Sequence, residues 1–390
     1  MQRVYLDNAA TTKIDLRVAD VMFKILTEGF GNPSSIYAEA YQARKLLENA
    51  RTQVAGLINA DPTEIVFTGG GSEADNLALI GVAKAYARKG KHIITSRVEH
   101  HAVLHTCEYL EKQGFQVTYL PVDEDGLVSP DDVREAIQSD TILISIMYAN
   151  NEVGSIMPIA EIGTIARANG VFLHTDAVQA AGQVDIDVKK DQIDLLSLTA
   201  HKLHGPKGIG ALYVRKGVHV VPMILGGGQE RGLRAGTENV AGAVGLGIAC
   251  NLARMEFIPN NEKMMNLRDR LIEGIEKNIP YVKLNGHRQK RLSNNVNMSI
   301  NFIEGEGILL RLDMAGVAAS SGSACTSGSL EPSHVLLAMG LDHATAHGSL
   351  RLTLSHETSK EEIDYVLGKL PDIVKVLRSM SPIYNAREVK

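Results

Sequence analysis

Short apolar runs rich in β-branched residues recur along the first half of the chain, and amphipathic segments separate most of them. The runs are EIVFT (64–68), HIITS (92–96), QVTYLPV (116–122), TILISIM (141–147), VFLHT (171–175) and DLLSLT (194–199). Strands that alternate with helices form βαβ units, in which successive strands lie parallel. The pattern therefore predicts an α/β protein whose sheet is mostly parallel.

Residues that start and stop helices lie between these runs. Ser72 is the expected N-cap of the helix EADNLALIGVAKAYARK, and Ser129 with Pro130 opens DDVREAIQ. Gly170 closes IAEIGTIARAN, because glycine readily adopts the left-handed conformation that follows a last helical turn.

The alternation weakens at FIPNNEKM (257–264), where a proline and two asparagines precede a long charged helix. We place a domain boundary there and predict a large domain over 14–257. The predicted small domain covers 258–390 and also includes the N-terminal segment 1–13. The strands NVNMSINF, GVAASSG and SLRLTLS and a terminal helix from about Ser359 predict a smaller α+β domain.

Composition narrows the possible partners. The 390 residues are 44% apolar and carry a formal net charge of -5, so a dedicated nucleic-acid surface is not expected. No apolar run reaches membrane-spanning length, and MQRVYLDNAATT lacks an apolar core after a basic start, so a cytoplasmic protein is expected. The three cysteines, Cys107, Cys250 and Cys325, are too few for a disulfide framework and lack metal-type spacing.

One lysine stands where open α/β sheets bind their ligands. In SLTAHKLHGPKGIGALYV (197–214), Lys202 directly follows a predicted strand. It is either an ion-paired or snorkelling lysine, or a Schiff-base lysine whose amine is activated for carbonyl chemistry.

The segment HTDAVQ (174–179) places Asp176 at the end of another predicted strand, and it favours the second interpretation. Pyridoxal phosphate needs a lysine for its aldehyde and a carboxylate for its pyridine nitrogen. Gln179 could then bind the phenolate oxygen of the ring. A helix N-cap is the alternative role for Asp176.

Two glycine-rich segments are candidates for binding the phosphate. In FTGGGSEADN (67–76) a strand, three glycines and Ser72 lead into a helix, whose bare amides attract anions. A plain turn is the alternative. In GGGQERGLRAGT (226–237), Arg231, Arg234 and Thr237 could reach a phosphate, even across a dimer interface.

The histidines of RVEHHAVLH (97–105) allow two interpretations. His101 and His105 have the spacing of a helical metal pair, but no third ligand is evident, so no metal site is predicted. His100 leaves a strand at the ligand edge, where it could stack on a cofactor ring and move protons; a purely structural histidine is the alternative.

The segment SSGSACTSGSLEPS (320–333) carries Cys325 among serines and glycines. It is either a polar linker with an incidental cysteine or the carrier of an exposed, reactive thiol.

Over nearly its whole length the chain resembles the cysteine desulfurases of the NifS and IscS type, which are pyridoxal phosphate enzymes with the aminotransferase fold (fold type I). The resemblance rests on the segments above and on YLDNAATT, GNPSS, EHHAVL, YANNEVG and NNVNMSI. Four departures from the family pattern are Tyr37, Ala40, Thr199 and Ala200.

The resemblance also implies residue roles. Lys202 would hold the cofactor aldehyde, Asp176 its pyridine nitrogen and Gln179 its phenolate oxygen. His100 would stack on the ring and transfer protons, Asn151 would contact cofactor and substrate, and Arg351 would bind the substrate carboxylate. The residues that would bind the phosphate are Gly71, Ser72, Thr199, His201 and, from the partner subunit of a homodimer, Thr237.

The activity implied is conversion of L-cysteine to L-alanine, with the sulfur left as a persulfide on Cys325. The sulfur would then pass to an acceptor such as an iron–sulfur scaffold or a tRNA-thiolation protein. The alternatives are another pyridoxal phosphate lyase or aminotransferase of this fold, such as a selenocysteine lyase, and a catalytically silent assembly partner.

Overall fold

A computed structural model describes residues 3–321, 332–382 and 384. A seven-stranded sheet forms its centre, and its strands are β2 (Ile65–Thr68), β3 (His92–Ser96), β4 (Gln116–Leu120), β5 (Thr141–Ser145), β6 (Phe172–Asp176), β7 (Leu195–Thr199) and β8 (Gly210–Val214). Their order across the sheet is β2-β8-β7-β6-β5-β3-β4. Only β8 runs antiparallel to its neighbours, so the mostly parallel sheet predicted from the sequence is confirmed.

Strand β8 is absent from the sequence prediction. It begins at Gly210 in a glycine-rich stretch, where local strand propensity is low. A Cβ at Gly210 would lie 2.7 Å from the carbonyl oxygen of Leu198, so the glycine lets two backbones approach closely.

Two α-helices precede the strands of this sheet in the chain, four lie between them and one follows them: α1 (Leu16–Glu28), α2 (Ala38–Leu57), α3 (Gly71–Tyr86), α4 (His101–Lys112), α5 (Pro130–Ala136), α6 (Ile159–Ala168) and α7 (Val240–Met255). Ser129 caps α5 as predicted, through its hydroxyl and the Asp131 amide. The predicted cap at Ser72 is wrong, because α3 already begins at Gly71 and Ala74 N–H bonds to the carbonyl of Gly70. Ser72 therefore lies inside the first turn.

A second unit contains β9 (Val282–Leu284), β10 (Asn295–Ile300) and β12 (Ser349–Thr353), which form an antiparallel sheet in the order β12-β10-β9. The N-terminal β1 (Val4–Tyr5) pairs with β11 (Val317–Ala318) beside it. The remaining helices are α8 (Phe257–Asn278), α9 (Gly305–Met314), α10 (His334–Ala338), α11 (His343–His347) and α12 (Lys360–Ser379).

The proline and the two asparagines of FIPNNEKM, which were expected to precede the long charged helix, lie inside it. Helix α8 begins at Phe257 and contains Pro259 in its first turn, where a residue without an N–H is tolerated because the first amides have no helical acceptor. Ser359 caps α12 through a capping box with Glu362, in agreement with the sequence.

The apolar residues form separate cores. One lies on the face of the large sheet covered by α2 and α7, another lies on the opposite face beneath α3 and α4, and a third lies in the second unit. Val4 and Leu6 are buried in the third core. In contrast, Val335 and Leu336 of α10 pack in the first core with residues of the large sheet.

Within the described residues no single helix is long and apolar enough to cross a membrane; α7 and α8 reach that length and apolarity only as a pair bent by 74°.

Candidate active site

The carboxyl ends of the parallel strands bring the predicted residues to one edge of the large sheet. Asp176 ends β6, and Lys202 follows β7 after one turn of 3-10 helix, Ala200–Lys202. His100 follows β3 and stands at the start of α4. In an open α/β sheet this edge is where ligands bind.

Asp176 is a buried carboxylate at the end of β6. It is 6% exposed, and its Oδ1 accepts a hydrogen bond of 2.9 Å from Val178 N. Burial raises the pKa of Asp176, and the charges of His100 and Lys202 act to lower it. A cation that met this carboxylate would therefore stabilise its ionised form.

Beneath Asp176 lies a second buried carboxyl group, Asp75 of α3, which the sequence analysis missed. Burial and the nearby charge of Asp176 raise the pKa of Asp75 well above its usual range. Its Oδ1 has no hydrogen-bond partner among the described residues and lies 3.6 Å from His174 Nε2. Two adjacent buried carboxyl groups rarely ionise together, so the raised pKa of Asp75 favours its protonated form next to Asp176. The only sequence signal was an aspartate on the buried face of an apolar helix.

The Lys202 ammonium is held by backbone carbonyls of the N-terminal segment. Its Nζ donates to the carbonyl of Ala9 and, over 2.9 Å, to the carbonyl of Ala10. The side-chain amide of Gln179 donates to the same Ala9 carbonyl over 3.0 Å. The segment YLDNAATT thus forms one wall of the site, next to Lys202 and Gln179, which are both predicted cofactor ligands.

The start of α3 forms a cradle without side chains. A Cβ at Gly71 would lie 2.7 Å from Val178 Cγ2, so only glycine fits between the helix and the loop after β6. Glu73 accepts from Gly69 N and pairs with Arg234 at 2.9 Å, so its charge is balanced beside the cradle. Ser72 is exposed in the same turn. First-turn amides, together with the helix dipole, attract an anion.

Three further predicted phosphate ligands differ in their surroundings. The hydroxyl of Thr199 is buried and donates to the Ile209 carbonyl over 3.2 Å. Burial lowers the pKa of His201 to about 4, helped by Lys202, so its imidazole is neutral at physiological pH. Thr237 is exposed on the surface of the subunit.

The arginines of the segment 226–237 do not point to a free anion site. Arg231 donates to the Thr63 carbonyl over 2.6 Å, and Arg234 is paired with Glu73. Between them Glu230 is buried and forms two hydrogen bonds to Arg51, of 2.8 and 2.9 Å. These contacts bind the segment to α2, to the turn before β2 and to α3 of its own subunit. The idea that either arginine reaches a phosphate is therefore not supported by its contacts.

Arg351 on β12 enters the site from the second unit. It is 2% exposed, its Nη1 donates to the Asn151 carbonyl over 3.1 Å, and its Nη2 lies 3.0 Å from Asp7 Oδ1. Its Nε is buried and has no hydrogen-bond partner among the described residues. An unsatisfied guanidinium N–H beside Asn151 is suited to a carboxylate.

The hydrogen bonds of His100 indicate its tautomer. Its Nδ1 accepts from Ala102 N over 3.1 Å, so Nε2 carries the ring proton in the neutral form. The preceding Glu99 is fully buried and accepts from Ser96 Oγ over 2.6 Å and from Met147 N over 3.0 Å. Burial raises the pKa of Glu99 to about 8.

The other histidines of α4 form a ring cluster. His101 and His105 stack with centroids 5.0 Å apart, and His334 lies 4.8 Å from His101. No group of three or more potential ligands in the part of the chain that the structure describes could hold a metal ion.

Two of the three cysteines are packing residues. Cys107 on α4 and Cys250 on α7 are fully buried, and burial raises the pKa of both thiols. Neither can act as an accessible thiolate. Cys325 lies outside the described residues.

The residues at this edge fit pyridoxal phosphate. A buried carboxylate suits a protonated pyridine nitrogen, a lysine amine lies in the turn after the next strand, and a helix start that contains glycine suits a phosphate. The fold and this site together define a pyridoxal phosphate enzyme of the aminotransferase type.

Comparison with known proteins specifies the family. The model of the class-V aminotransferase family matches residues 4–366, and the chain belongs to this family. It is 56% identical over 386 residues to cysteine desulfurase IscS of Clostridium botulinum strain Hall, covering 98% of this chain and 97% of that protein. It is 57% identical over 380 residues to cysteine desulfurase IscS of Methanosarcina thermophila, covering 97% and 94%. A solved NifS-like protein superimposes with a TM-score of 0.91 at 38% identity, covering 96% of this chain and 100% of that one.

Proposed function

We propose that this chain is a pyridoxal phosphate-dependent L-cysteine desulfurase, which converts L-cysteine to L-alanine and leaves the sulfur on Cys325. The observation that carries the proposal is the placement of buried Asp176 and Lys202 at the ends of adjacent parallel strands. The near full-length likeness to proteins named cysteine desulfurase supports the choice of reaction.

The cofactor would be held by the residues of the sheet edge. Asp176 would bind the pyridine nitrogen, Lys202 the aldehyde carbon, and Gln179 the phenolate oxygen, while His100 would cover the ring. The phosphate would meet the amides of Gly71 and Ser72, the side chains of Thr199 and His201, and Thr237 of a second subunit. When bound, pyridoxal phosphate supplies an electron sink that weakens the α C–H and Cβ–S bonds of an attached amino acid.

The substrate would be oriented by Arg351 and Asn151. The buried Nε of Arg351 lacks a partner among the described residues, so a substrate carboxylate can satisfy it. A guanidinium that binds through two N–H groups fixes the direction of a carboxylate, which points the rest of cysteine toward Lys202. His100 would hold its proton on Nε2 and exchange it with the reacting atoms.

The sulfur step would use the Cys325 thiolate as the nucleophile toward the substrate sulfur. An S–S bond forms and the Cβ–S bond breaks. The β carbon takes up a proton to become the methyl group of alanine. The β carbon is reduced by two electrons and the sulfur pair is oxidised by two, so no external oxidant is needed. Cys107 and Cys250 cannot substitute, because both are buried.

We also propose a homodimer. Large apolar side chains are exposed together on α1, on the loop after it and at the start of α2, which is typical of a protein–protein interface. They are Leu16, Phe23, Leu26, Phe30, Ile36 and Tyr41. Thr237 is exposed as well, as a residue that serves a neighbouring subunit must be. If Thr237 completes the partner's site, dimers should retain cofactor more tightly than monomers produced by charge substitutions at Phe23 and Leu26.

The persulfide would pass to a protein acceptor such as an iron–sulfur scaffold or a tRNA-thiolation protein, in the cytoplasm. Measuring alanine and persulfide with each candidate acceptor added would identify it. An acceptor should raise the rate of alanine formation, because it regenerates the Cys325 thiol.

The proposed activity is tested with Lys202→Ala and with Lys207→Ala as the matched control, since Lys207 is exposed five positions away. Wild type and Lys207→Ala should be yellow after purification and form alanine from cysteine. Lys202→Ala should lose the visible absorbance and the turnover. A colourless wild type would favour a catalytically silent assembly partner, and a yellow wild type that forms no alanine would favour another lyase or an aminotransferase.

A further inference from the structure

Ser333 connects α10 to the loop that carries Asn151. Its hydroxyl donates to Glu152 Oε2, and the hydroxyl oxygen of Ser333 accepts from Leu336 N over 3.2 Å, so that Ser333 is the N-cap of α10. Ser333 and Glu152 are 3% and 4% exposed, so water hardly competes for this hydrogen bond. A buried hydrogen bond to a carboxyl group is stronger than one between neutral groups and fixes both ends.

Two further contacts hold α10 in this position. His334 Nε2 donates to the Glu99 carbonyl over 3.0 Å, directly before His100. Val335 and Leu336 are buried in the core of the large sheet. Helix α10 is therefore attached to the sheet edge of the active site.

The other end of the same stretch is attached to the substrate site. Ser320 and Arg351 exchange two backbone hydrogen bonds, of 3.2 and 2.7 Å. Ser320 thus lies beside Arg351, the predicted substrate arginine. Ser333 lies beside Glu152, which follows Asn151 in the sequence. Cys325 is between these two attachment points in the sequence.

Glu152 has a rigid backbone. Its carbonyl accepts from the side-chain amides of Asn295 and Asn297 on β10, over 3.2 and 3.0 Å. Burial raises the pKa of its carboxyl group to about 7, while Ser333, Arg351 and His100 act in the opposite direction. A carboxyl group fixed from two sides is a suitable anchor for a neighbouring segment.

We propose that Glu152 and Ser333 are positioning residues for sulfur transfer: their hydrogen bond fixes the C-terminal end of the stretch that carries Cys325 relative to Asn151 and Arg351. The inference rests on the proposed desulfurase function. Sulfur transfer requires the thiolate to meet the substrate sulfur along the S–C axis, and small errors of position cost large factors in rate. Substrate binding does not require this anchor.

The experiment uses the cofactor-loaded dimer or monomer as purified, with wild type, Ser333→Ala, Ser333→Thr and Glu152→Ala. After a single turnover, mass spectrometry measures the rate at which sulfur is added to Cys325. Ser333→Ala and Glu152→Ala should each slow this step about tenfold or more, and the double variant should be no slower than Ser333→Ala alone, because Ser333→Ala already removes the hydrogen bond that Glu152→Ala removes. Ser333→Thr retains the hydroxyl and should restore the rate.

Two readouts separate positioning from a general loss of structure. The spectral titration with L-cysteine should give the same affinity for Ser333→Ala as for wild type. In the apoprotein, hydrogen exchange in 333–340 should be faster in Glu152→Ala than in wild type, although Glu152→Ala keeps the Ser333 hydroxyl that caps α10. Ser129→Ala, which removes the cap of the distant α5, should change neither sulfur transfer nor exchange in α10.

The possible failures are distinguishable. If wild type forms no alanine from cysteine, the proposed function fails and the inference fails with it. If wild type adds sulfur to Cys325 and Ser333→Ala does so equally fast, or if the two single losses multiply in the double variant, only the positioning role is overturned.

Discussion

Arg351 Nη2 lies 3.0 Å from Asp7 Oδ1, so the guanidinium proposed to bind the substrate carboxylate already contacts a carboxylate of its own chain. The pair joins the N-terminal segment to β12, where Arg351 is almost fully buried. Asp7 offsets the cost of burying the guanidinium charge, and it also repels a second carboxylate that arrives there.

This contact predicts tighter substrate binding by Asp7→Asn. The amide oxygen of asparagine can still accept from Arg351, whereas the repulsion of the substrate carboxylate disappears. The dissociation constant for L-cysteine should fall about threefold to tenfold, which corresponds to roughly 0.7–1.4 kcal/mol. Spectral titration measures it, with Asp313→Asn as a control that removes a carboxylate from an exposed ion pair. Weaker binding by Asp7→Asn would show that orientation of Arg351 matters more than repulsion.

Glu99 predicts a dependence of stability on pH. Its pKa is about 8 in the folded chain against 4.5 for the ordinary group, so the folded state binds more protons between these values. The free energy of unfolding should therefore fall as the pH rises from 4.5 to 8, by an amount on the order of 4 kcal/mol from this residue. Glu99→Gln, which resembles the protonated acid, should remove this part of the decrease. Urea unfolding at several pH values tests it, and exposed Glu135→Gln should leave the slope unchanged.

Asp176→Asn should separate cofactor binding from catalysis. Asparagine has nearly the same shape, but it cannot stabilise a protonated pyridine nitrogen by charge. Alanine formation should fall at least about 100-fold, an effect of roughly 2.7 kcal/mol on the barrier. More than half of the bound cofactor should remain, measured as phosphate ester per subunit. Exposed Asp185→Asn serves as the control, and turnover by Asp176→Asn at the wild-type rate would refute the assignment.

Cys325→Ser should distinguish a desulfurase from every other enzyme of this fold. Serine is a far weaker nucleophile toward sulfur than a thiolate, so the variant should bind cysteine with a spectral change, form no persulfide and release little alanine. In wild type, added sulfur should be found at position 325 alone, because Cys107 and Cys250 are buried. Full alanine production by Cys325→Ser would overturn the sulfur step and leave the cofactor assignment intact.

Glu230→Gln should destabilise the fold. Glu230 and Arg51 form a buried ion pair, and the Glu230 carboxylate also accepts from Phe67 N over 2.8 Å. Removing one charge leaves the other buried without its partner, which should cost about 3–5 kcal/mol of unfolding free energy. Asp364→Asn in the exposed pair with Arg270 should cost at most about 1 kcal/mol in the same urea titration. Equal losses in the two variants would contradict the distinction between buried and exposed pairs.

The sequence alone was sufficient to predict six of the seven strands of the large sheet and the residues that follow them. Runs such as HIITS (92–96) are local patterns, and the structure has β3 over the same residues. Because the carboxyl ends of parallel strands share one edge, the meeting of Asp176 and Lys202 follows once the strands are known.

Other properties depend on residues far apart in the sequence, and only the tertiary structure decided them. Burial of Asp75 next to Asp176 raises its pKa because α3 packs on β6, 100 positions later in the chain, which no local pattern specifies. Arg231 and Arg234 resemble anion ligands in sequence, but carbonyls and a carboxylate of the same subunit satisfy them. Electrostatic energies depend on distance and burial, and neither is contained in spacing along the chain.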